Sequence, residues 1–270
     1  MLAQLHWNVD PTIFRLGPLA PRWYGLLFAS GFLIGFYLMR SVFQREDRPE
    51  TDLDFLLLYL LGGTVIGARL GHILFYAPGY YLMNPVEIIA IWEGGLASHG
   101  GLIGVPFAIW LYCRRRDDQP FVWLLDRLAA PVALTGSFIR LGNLFNSEIL
   151  GVPSDLPWAV VFERIDQTAR HPVQVYESIS YFLIFVLLWG LYRKWGEKTP
   201  RGMLIGLFFT LVFGVRIVLE QFKVEQAHFE MALPLGMSMG QLLSIPAVAI
   251  GLWLVWRAVQ SSEESTAASS

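Results

Sequence analysis

The chain has 270 residues, 54% hydrophobic, 14% aromatic and only 16% charged, with a formal net charge of −2. Soluble domains carry about 45–50% apolar and about 25% charged residues, so this composition excludes a disordered chain and argues against a soluble enzyme. One cysteine excludes an internal disulfide framework and a zinc site built on several thiolates, and the near-neutral charge leaves no strong basic field for nucleic acid.

A bilayer core about 30 Å thick takes about 20 mostly apolar residues per helix. Seven runs meet that length. Residues 23–39 carry no charge. Residues 55–83 carry only Arg69 and are long enough for a span plus a surface segment. Residues 94–113 carry none, with His99 near the start. Residues 121–139 hold Asp126 and Arg127 close to the beginning, where they read as a local interfacial pair. Residues 173–192 hold only Glu177, residues 202–222 hold Arg216 and Glu220, and residues 231–256 hold none. The pattern predicts an all-α polytopic membrane protein, seven transmembrane helices forming a single membrane domain over residues 1–260. The first 22 residues lack a compact apolar stretch and include Asn8, Asp10, Arg15 and Arg22, so the first span is expected to stay as a signal-anchor.

Seven spans put the termini on opposite sides. One set of connections holds Arg40, Arg45, Arg48, Arg114, Arg115, Arg116, Arg193, Lys194, Lys198, Arg201 and Arg257. The other holds Arg15, Arg22, Arg164, Arg170 and Lys223. The richer set marks the cytoplasm, placing the N-terminus outside and the C-terminus inside. The outer connections are the elaborate ones. An aromatic interfacial arm is expected over about 72–93, with Phe75, Tyr76, Tyr80, Tyr81 and Trp92 around Pro78, Gly79, Asn84 and Pro85. A small extracytoplasmic cap is expected over about 141–172, where residues 158–162 read as a short strand. The Ser/Ala/Glu-rich segment 261–270 reads as a disordered cytoplasmic tail.

Ionisable groups within spans are costly and usually functional. Alternating span directions give each a depth, and Tyr24, Arg69, His72, His99, Arg140, Asn143, Gln174, Glu177, Arg216 and Glu220 all fall toward the outer side. An outer layer holding several arginines implies an anionic ligand, because guanidinium stays charged and pairs its donors with phosphate oxygens. The block Arg140-Leu-Gly-Asn143-Leu-Phe-Asn146-Ser-Glu148 is the densest in polar groups, and Asn143 and Asn146 share a face if the helix continues through them. Arg216 and Glu220, four apart, also share a face; they read either as a structural ion pair or as an arginine oriented by a carboxylate. Glu177 needs a partner, one of the arginines being the candidate. His99, in a glycine-rich stretch within the arginine layer, is a candidate base, since imidazole titrates near neutrality. The five histidines show no metal-ligand spacing, and neither a metal nor a cofactor is expected.

From Arg22-Trp-Tyr24-Gly25 to Met239-Gly-Gln-Leu-Leu-Ser-Ile-Pro246, the chain resembles the bacterial prolipoprotein diacylglyceryl transferases. The resemblance rests on Gly67-Ala-Arg69, His99-Gly-Gly-Leu-Ile-Gly104, the Arg140–Glu148 block, His171-Pro-Val-Gln-Val-Tyr-Glu177 and Arg216-Ile-Val-Leu-Glu220. Ile139 stands where the family often has glycine, and Val212 where it commonly has tyrosine, so no hydroxyl role is expected there. The resemblance implies a cell (inner) membrane enzyme that moves diacylglycerol from phosphatidylglycerol to the lipobox cysteine of a prolipoprotein signal peptide. The products would be a thioether and glycerol 1-phosphate. Its partners would be those two substrates and membrane lipids, with no nucleic acid. Carried over by motif, Arg140 and Arg216 are the principal residues, with His99 as the catalytic base. Asn143, Asn146 and Tyr24 bind lipid or phosphate, and Glu148, Glu220, Arg69 and Glu177 support them. Two other classes are weighed: an anion or lipid transporter, disfavoured by the lack of a clear repeat, and an intramembrane signal-peptide protease, for which Ser137 with His99 is the available pair.

Overall fold

The computed structural model describes residues 5–17, 19–91, 94–224 and 237–267, those at 98, 99 and 262–267 by their backbone alone; the expectations placed on Trp92, on the His99 side chain and on residues 231–236 lie outside what is described. The elements run β1 (Leu5–Trp7), α1 (Trp23–Arg45), α2 (Glu50–Tyr76), α3 (Pro78–Met83), α4 (Ser98–Cys113), α5 (Phe121–Asn146), β2 (Val160–Phe162), β3 (Ala169–Arg170), α6 (Val173–Trp195), α7 (Met203–Leu219) and α8 (Met239–Ala267). Among the described residues, six helices are long and apolar enough to cross a membrane, and α4, at 16 residues, is the shorter seventh apolar helix. Large apolar side chains face outward along them, Leu58, Leu102, Ile103 and Leu183 each being more than half exposed. Such surface is stable only against lipid or another apolar partner.

The chain packs as two compact units, one of residues 1–42 with 125–270 and one of residues 43–124. In the second, α2 and α4 approach closely because glycines at four-residue spacing meet. A Cβ on Gly67 would lie 2.6 Å from the Gly100 carbonyl oxygen and 2.8 Å from Gly104 Cα. This is the small-residue contact that substitutes for hydrophobic driving force inside a bilayer. Near the start of α2, Asp52 accepts from Gln119 Nε2 (2.8 Å) and pairs with Arg116 (3.0 Å), while Tyr112 donates to Gln119 Oε1 (2.6 Å). Near its other end, Arg69 is buried. Its guanidinium donates to the carbonyls of Ile88 (2.9 Å), Gly94 (2.6 Å), Gly95 (3.2 Å) and Glu87 and lies 5.0 Å from the Tyr81 ring centroid. Arg69 thereby ties down the arm that follows α2: α3, whose Leu82 and Met83 are more than four-fifths exposed, and a 3₁₀ turn over Pro85–Ile89.

In the first unit, the strand expected near 158–162 is β2. Two partners flank it: β3, antiparallel, and β1, parallel, with Leu5 opposite Val160 and Trp7 opposite Phe162. Trp7 packs edge-on to Phe145 and Trp23 stacks on Phe145, at centroid distances of 5.4 and 5.1 Å, which seats the sheet on the end of α5. The cap therefore starts later than residue 141, because α5 runs on to Asn146, and it includes the N-terminal strand. At the other end of the helices Asp126 reaches across to a second helix. It is fully buried and accepts from the backbone N–H groups of Gly202 (2.7 Å) and Ile205 (2.9 Å), capping the start of α7. Past residue 261 the chain stays in α8 as far as Ala267. Here α8 runs on through Glu263, Glu264 and Ala267, good helix formers, and Ser261 Oγ donates to the Arg257 carbonyl (3.0 Å).

Candidate active site

Three helix ends of the first unit meet: the last two turns of α5, the first turns of α6 and the end of α7. The C-terminal extension of α5 puts Arg140, Asn143 and Asn146 on successive turns of one helix, as the three-residue spacing requires. Beyond it, Ser147 and Ile149 adopt positive φ (both 55°), and this tight reversal returns Glu148 to the helix end. Asn143 Nδ2 donates to Glu148 Oε2 (3.0 Å) and Asn146 Nδ2 to Glu148 Oε1 (3.1 Å), so both oxygens of that carboxylate are held by amides. Gln174 of α6 donates to the Glu148 carbonyl (2.6 Å), and Glu148 N donates to the Asn143 carbonyl (2.9 Å). Among the described residues, Asn146 Oδ1 is buried without a hydrogen-bond partner, an acceptor left open.

Arg140 links this block to α6. Its Nη1 donates to Asn143 Oδ1 (3.3 Å), and its Nε lies 3.0 Å from Glu177 Oε2. Glu177 is wholly buried, and its other oxygen accepts from Lys223 Nζ (3.0 Å). Lys223 also donates to Glu220 Oε2 (2.8 Å), and Arg216 Nε stands 3.8 Å from that same oxygen. The groups thus form one row: Glu148, Asn143, Arg140, Glu177, Lys223, Glu220, Arg216. Arginines stand at two points of it, and each meets its carboxylate through Nε, the inner edge of the guanidinium. The Arg216 side chain is 35% exposed, the most open of the three cations in the row. Tyr24 of α1 stands over Gly142, where a Cβ would come within 2.6 Å of its ring, so the glycine inside the arginine–asparagine block is what lets the tyrosine approach.

The structure joins eight of the sequence-derived residues within this unit: Tyr24, Arg140, Asn143, Asn146, Glu148, Glu177 and the Arg216–Glu220 pair through Lys223. Arg69 and His99 belong to the other unit. Sequence reasoning passed over Lys223, counting it with a loop. The available signal was its place three residues after Glu220, one helical turn on. The Arg170–His171–Tyr176 stretch is structural around the cap: Arg170 pairs with Asp166 (2.5 Å), and Tyr176 accepts from Trp158 Nε1 (2.7 Å). The Arg170 guanidinium and the Thr168 N–H hold the Asp166 carboxyl below the usual carboxylate range.

Long apolar helices whose ends gather arginines, carboxylates and amides into one row of hydrogen bonds and ion pairs define a multi-pass membrane protein with a polar site suited to an anionic ligand. Residues 11–257 match the family model described as prolipoprotein diacylglyceryl transferase. Proteins named phosphatidylglycerol–prolipoprotein diacylglyceryl transferase are similar over nearly the whole chain. The one from Chloroherpeton thalassium is 52% identical over 259 residues, 96% of each chain. That from Tolumonas auensis is 55% identical over 251 residues, 93% of this chain and 96% of the relative. That from Porphyromonas gingivalis is 42% identical over 272 residues, 96% of each. The chain belongs to the prolipoprotein diacylglyceryl transferase family, a family of bacterial multi-pass membrane enzymes.

Proposed function

We propose that this enzyme transfers the diacylglyceryl group of phosphatidylglycerol to the lipobox cysteine thiol of prolipoproteins, forming a thioether and releasing glycerol 1-phosphate. The observation that carries the reading is the row from Arg140 to Arg216, which brings two guanidiniums into one polar network through Glu177, Lys223 and Glu220. In this reading His99 takes the thiol proton, since the thiolate is the nucleophile and free cysteine is mostly protonated at neutral pH. Sulfur attacks the glyceryl carbon bonded to the phosphate ester, the carbon–oxygen bond breaks, and its electron pair leaves on the glycerol phosphate. Arg140 and Arg216 bind the phosphodiester and stabilise that growing charge. Asn143 and Asn146, with Tyr24, hold the headgroup, and Asn146 Oδ1 supplies an open acceptor for a glycerol hydroxyl. Glu148, Glu177 and Glu220 orient the cationic side chains. The acyl chains stay in lipid. No cofactor enters the scheme.

The site and cap face the outside of the bacterial inner membrane, with the N-terminus out and the C-terminus in, an orientation supported by the excess of arginine and lysine in the opposite connections. In this reading residues 1–260 form a single membrane domain. A signal-peptide protease has less support, because the Ser137 hydroxyl is buried and engaged with Ser178 Oγ (2.9 Å) and its carbonyl (2.8 Å). The test is the mass of a lipobox peptide incubated with the purified enzyme and phosphatidylglycerol. A gain of one diacylglyceryl group is expected; cleavage, or anion flux in liposomes without transfer, overturns the reading. His99→Gln is expected to slow transfer below neutrality-matched wild type, and full rate across neutral pH removes His99 as the base.

A further inference from the structure

Lys223 is the one cation in the row that touches two of its carboxylates, Glu177 and Glu220. Its Nζ lies 3.0 Å from Glu177 Oε1 and 2.8 Å from Glu220 Oε2, and its side chain is only 5% exposed, too deep to meet a ligand itself. The backbone fixes where it points. Lys223 bridges Gly151 in a short antiparallel contact, Val152 N donates to the Phe222 carbonyl (2.8 Å), and Val224 N donates to the Leu150 carbonyl (3.0 Å). A lysine held this way is a fixed charge and not a mobile arm.

Two cations address a single atom, Glu220 Oε2. The lysine holds it at 2.8 Å and the arginine stands off at 3.8 Å. Arg216 Nε is buried and makes no hydrogen bond among the described residues. The lysine has therefore taken the oxygen that an arginine four residues upstream on the same face would otherwise hold. The same side chain is the cation on Glu177 Oε1, which also accepts from the Tyr181 hydroxyl (3.5 Å), while the remaining oxygen stands 3.0 Å from Arg140 Nε. Glu148, farther along, has both oxygens on asparagine amides. Without Lys223, two buried carboxylates would face two arginines, each matched in full.

We infer that Lys223 is a positioning residue for the transfer reaction: by satisfying Glu177 and Glu220 it keeps the guanidiniums of Arg216 and Arg140 from being consumed by them, leaving their outer edges for a phosphate. This rests on the function proposed above. A buried carboxylate left short of partners recruits the nearest cation, because an uncompensated buried charge is the costlier state. Loss of the lysine closes Arg216 onto Glu220 and removes it from the ligand.

The experiment measures kcat and KM for phosphatidylglycerol, at saturating lipobox peptide, for wild type, Lys223→Met, Lys223→Arg and Lys223→Met with Glu220→Gln. Removing the lysine is expected to lower kcat/KM by about tenfold to a hundredfold, less than or comparable to deleting a donor that touches the transition state. Lys223→Arg, which keeps the bridging charge, is expected to stay within about threefold of wild type. The decisive variant is the double one. Neutralising Glu220 frees Arg216 again, so it is expected to recover about tenfold over Lys223→Met, whereas a merely structural lysine predicts further loss. Near-wild-type kcat/KM for Lys223→Met overturns the inference, as does a folded double variant no faster than the single one. If Lys223→Met does not fold, the double variant is compared with wild type directly, and a deficit above about a hundredfold overturns it. If neither folds, the lysine serves folding and the inference is wrong. Failure of the wild-type enzyme to modify the peptide is a different result and sinks the proposed function instead.

Discussion

Arg140 and Glu177 join two helices through a single edge of the guanidinium: Arg140 Nε lies 3.0 Å from Glu177 Oε2, while Nη1 donates to Asn143 Oδ1 at 3.3 Å. The arginine is thus aimed from two directions. Lysine has one point of charge and cannot reach both partners while presenting donors to a phosphate. Arg140→Lys is therefore expected to lose transfer nearly as severely as Arg140→Ala, about 10²–10³ in rate. Peptide mass after incubation with purified variants checks this, and near-normal transfer by Arg140→Lys would remove Arg140 from the phosphate.

Glu177 carries the opposite lesson. It is wholly buried between Arg140 and Lys223. Glu177→Leu leaves two buried cations facing an apolar group, and breaking such a pair costs about 3–5 kcal/mol. Glu177→Gln keeps the shape and one acceptor and is expected to cost less. Thermal unfolding in detergent should rank wild type, Gln and Leu in that order. Equal stability for wild type and Leu would mean that the row contributes nothing to the fold.

Much of this was legible in the sequence, for physical reasons that differ by residue. Arg140, Asn143 and Asn146 were readable because helical spacing alone aligns them once the helix continues, and it does. Glu177 announced a partner because a carboxylate alone in an apolar run is untenable. Lys223 was legible only as a cation one helical turn past Glu220, not as a buried one. Its burial depends on a backbone bridge to Gly151, more than seventy residues upstream, and its position past the helix end made it look like a loop charge. The strand Leu5–Trp7 was hidden likewise, since three residues carry no period and its partner is Val160–Phe162. Arg69 looked like a member of the polar layer, yet the described structure gives its donors to four carbonyls of the arm. Depth in a membrane is inferable from span direction, whereas the partner chosen at that depth is a tertiary fact.

The cap offers a pH test outside the spans. Asp166 accepts from Arg170 Nη2 (2.5 Å) and from Thr168 N (2.9 Å), and the guanidinium first, then the backbone N–H, lowers its pKa. A depressed folded-state value means the unfolded chain binds the proton more readily. The stabilisation is then present above the unfolded value of about 3.9 and is lost as pH falls through the lower folded value. Hydrogen exchange across residues 160–170 is expected to quicken below about pH 4 in wild type relative to Asp166→Asn, which lacks the titrating group. Parallel acid profiles for the two would show that the pair does not hold the hairpin.

The contact between α2 and α4 predicts opposite outcomes for two glycines on one helix. A Cβ on Gly62 meets nothing within 4 Å, whereas one on Gly67 would press to 2.6 Å from the Gly100 carbonyl oxygen and 2.8 Å from Gly104 Cα. Both obstacles at Gly67 are backbone atoms, which cannot swing aside as a side chain can. Gly62→Ala is expected to be neutral or to stabilise by up to about 1 kcal/mol, the difference in helix propensity. Gly67→Ala must separate the helices and is expected to cost about 1–3 kcal/mol. The two variants are compared by thermal unfolding in the same detergent. Equal melting temperatures would mean that the helices do not approach closely there, and the tether that Arg69 makes two residues on would need another support.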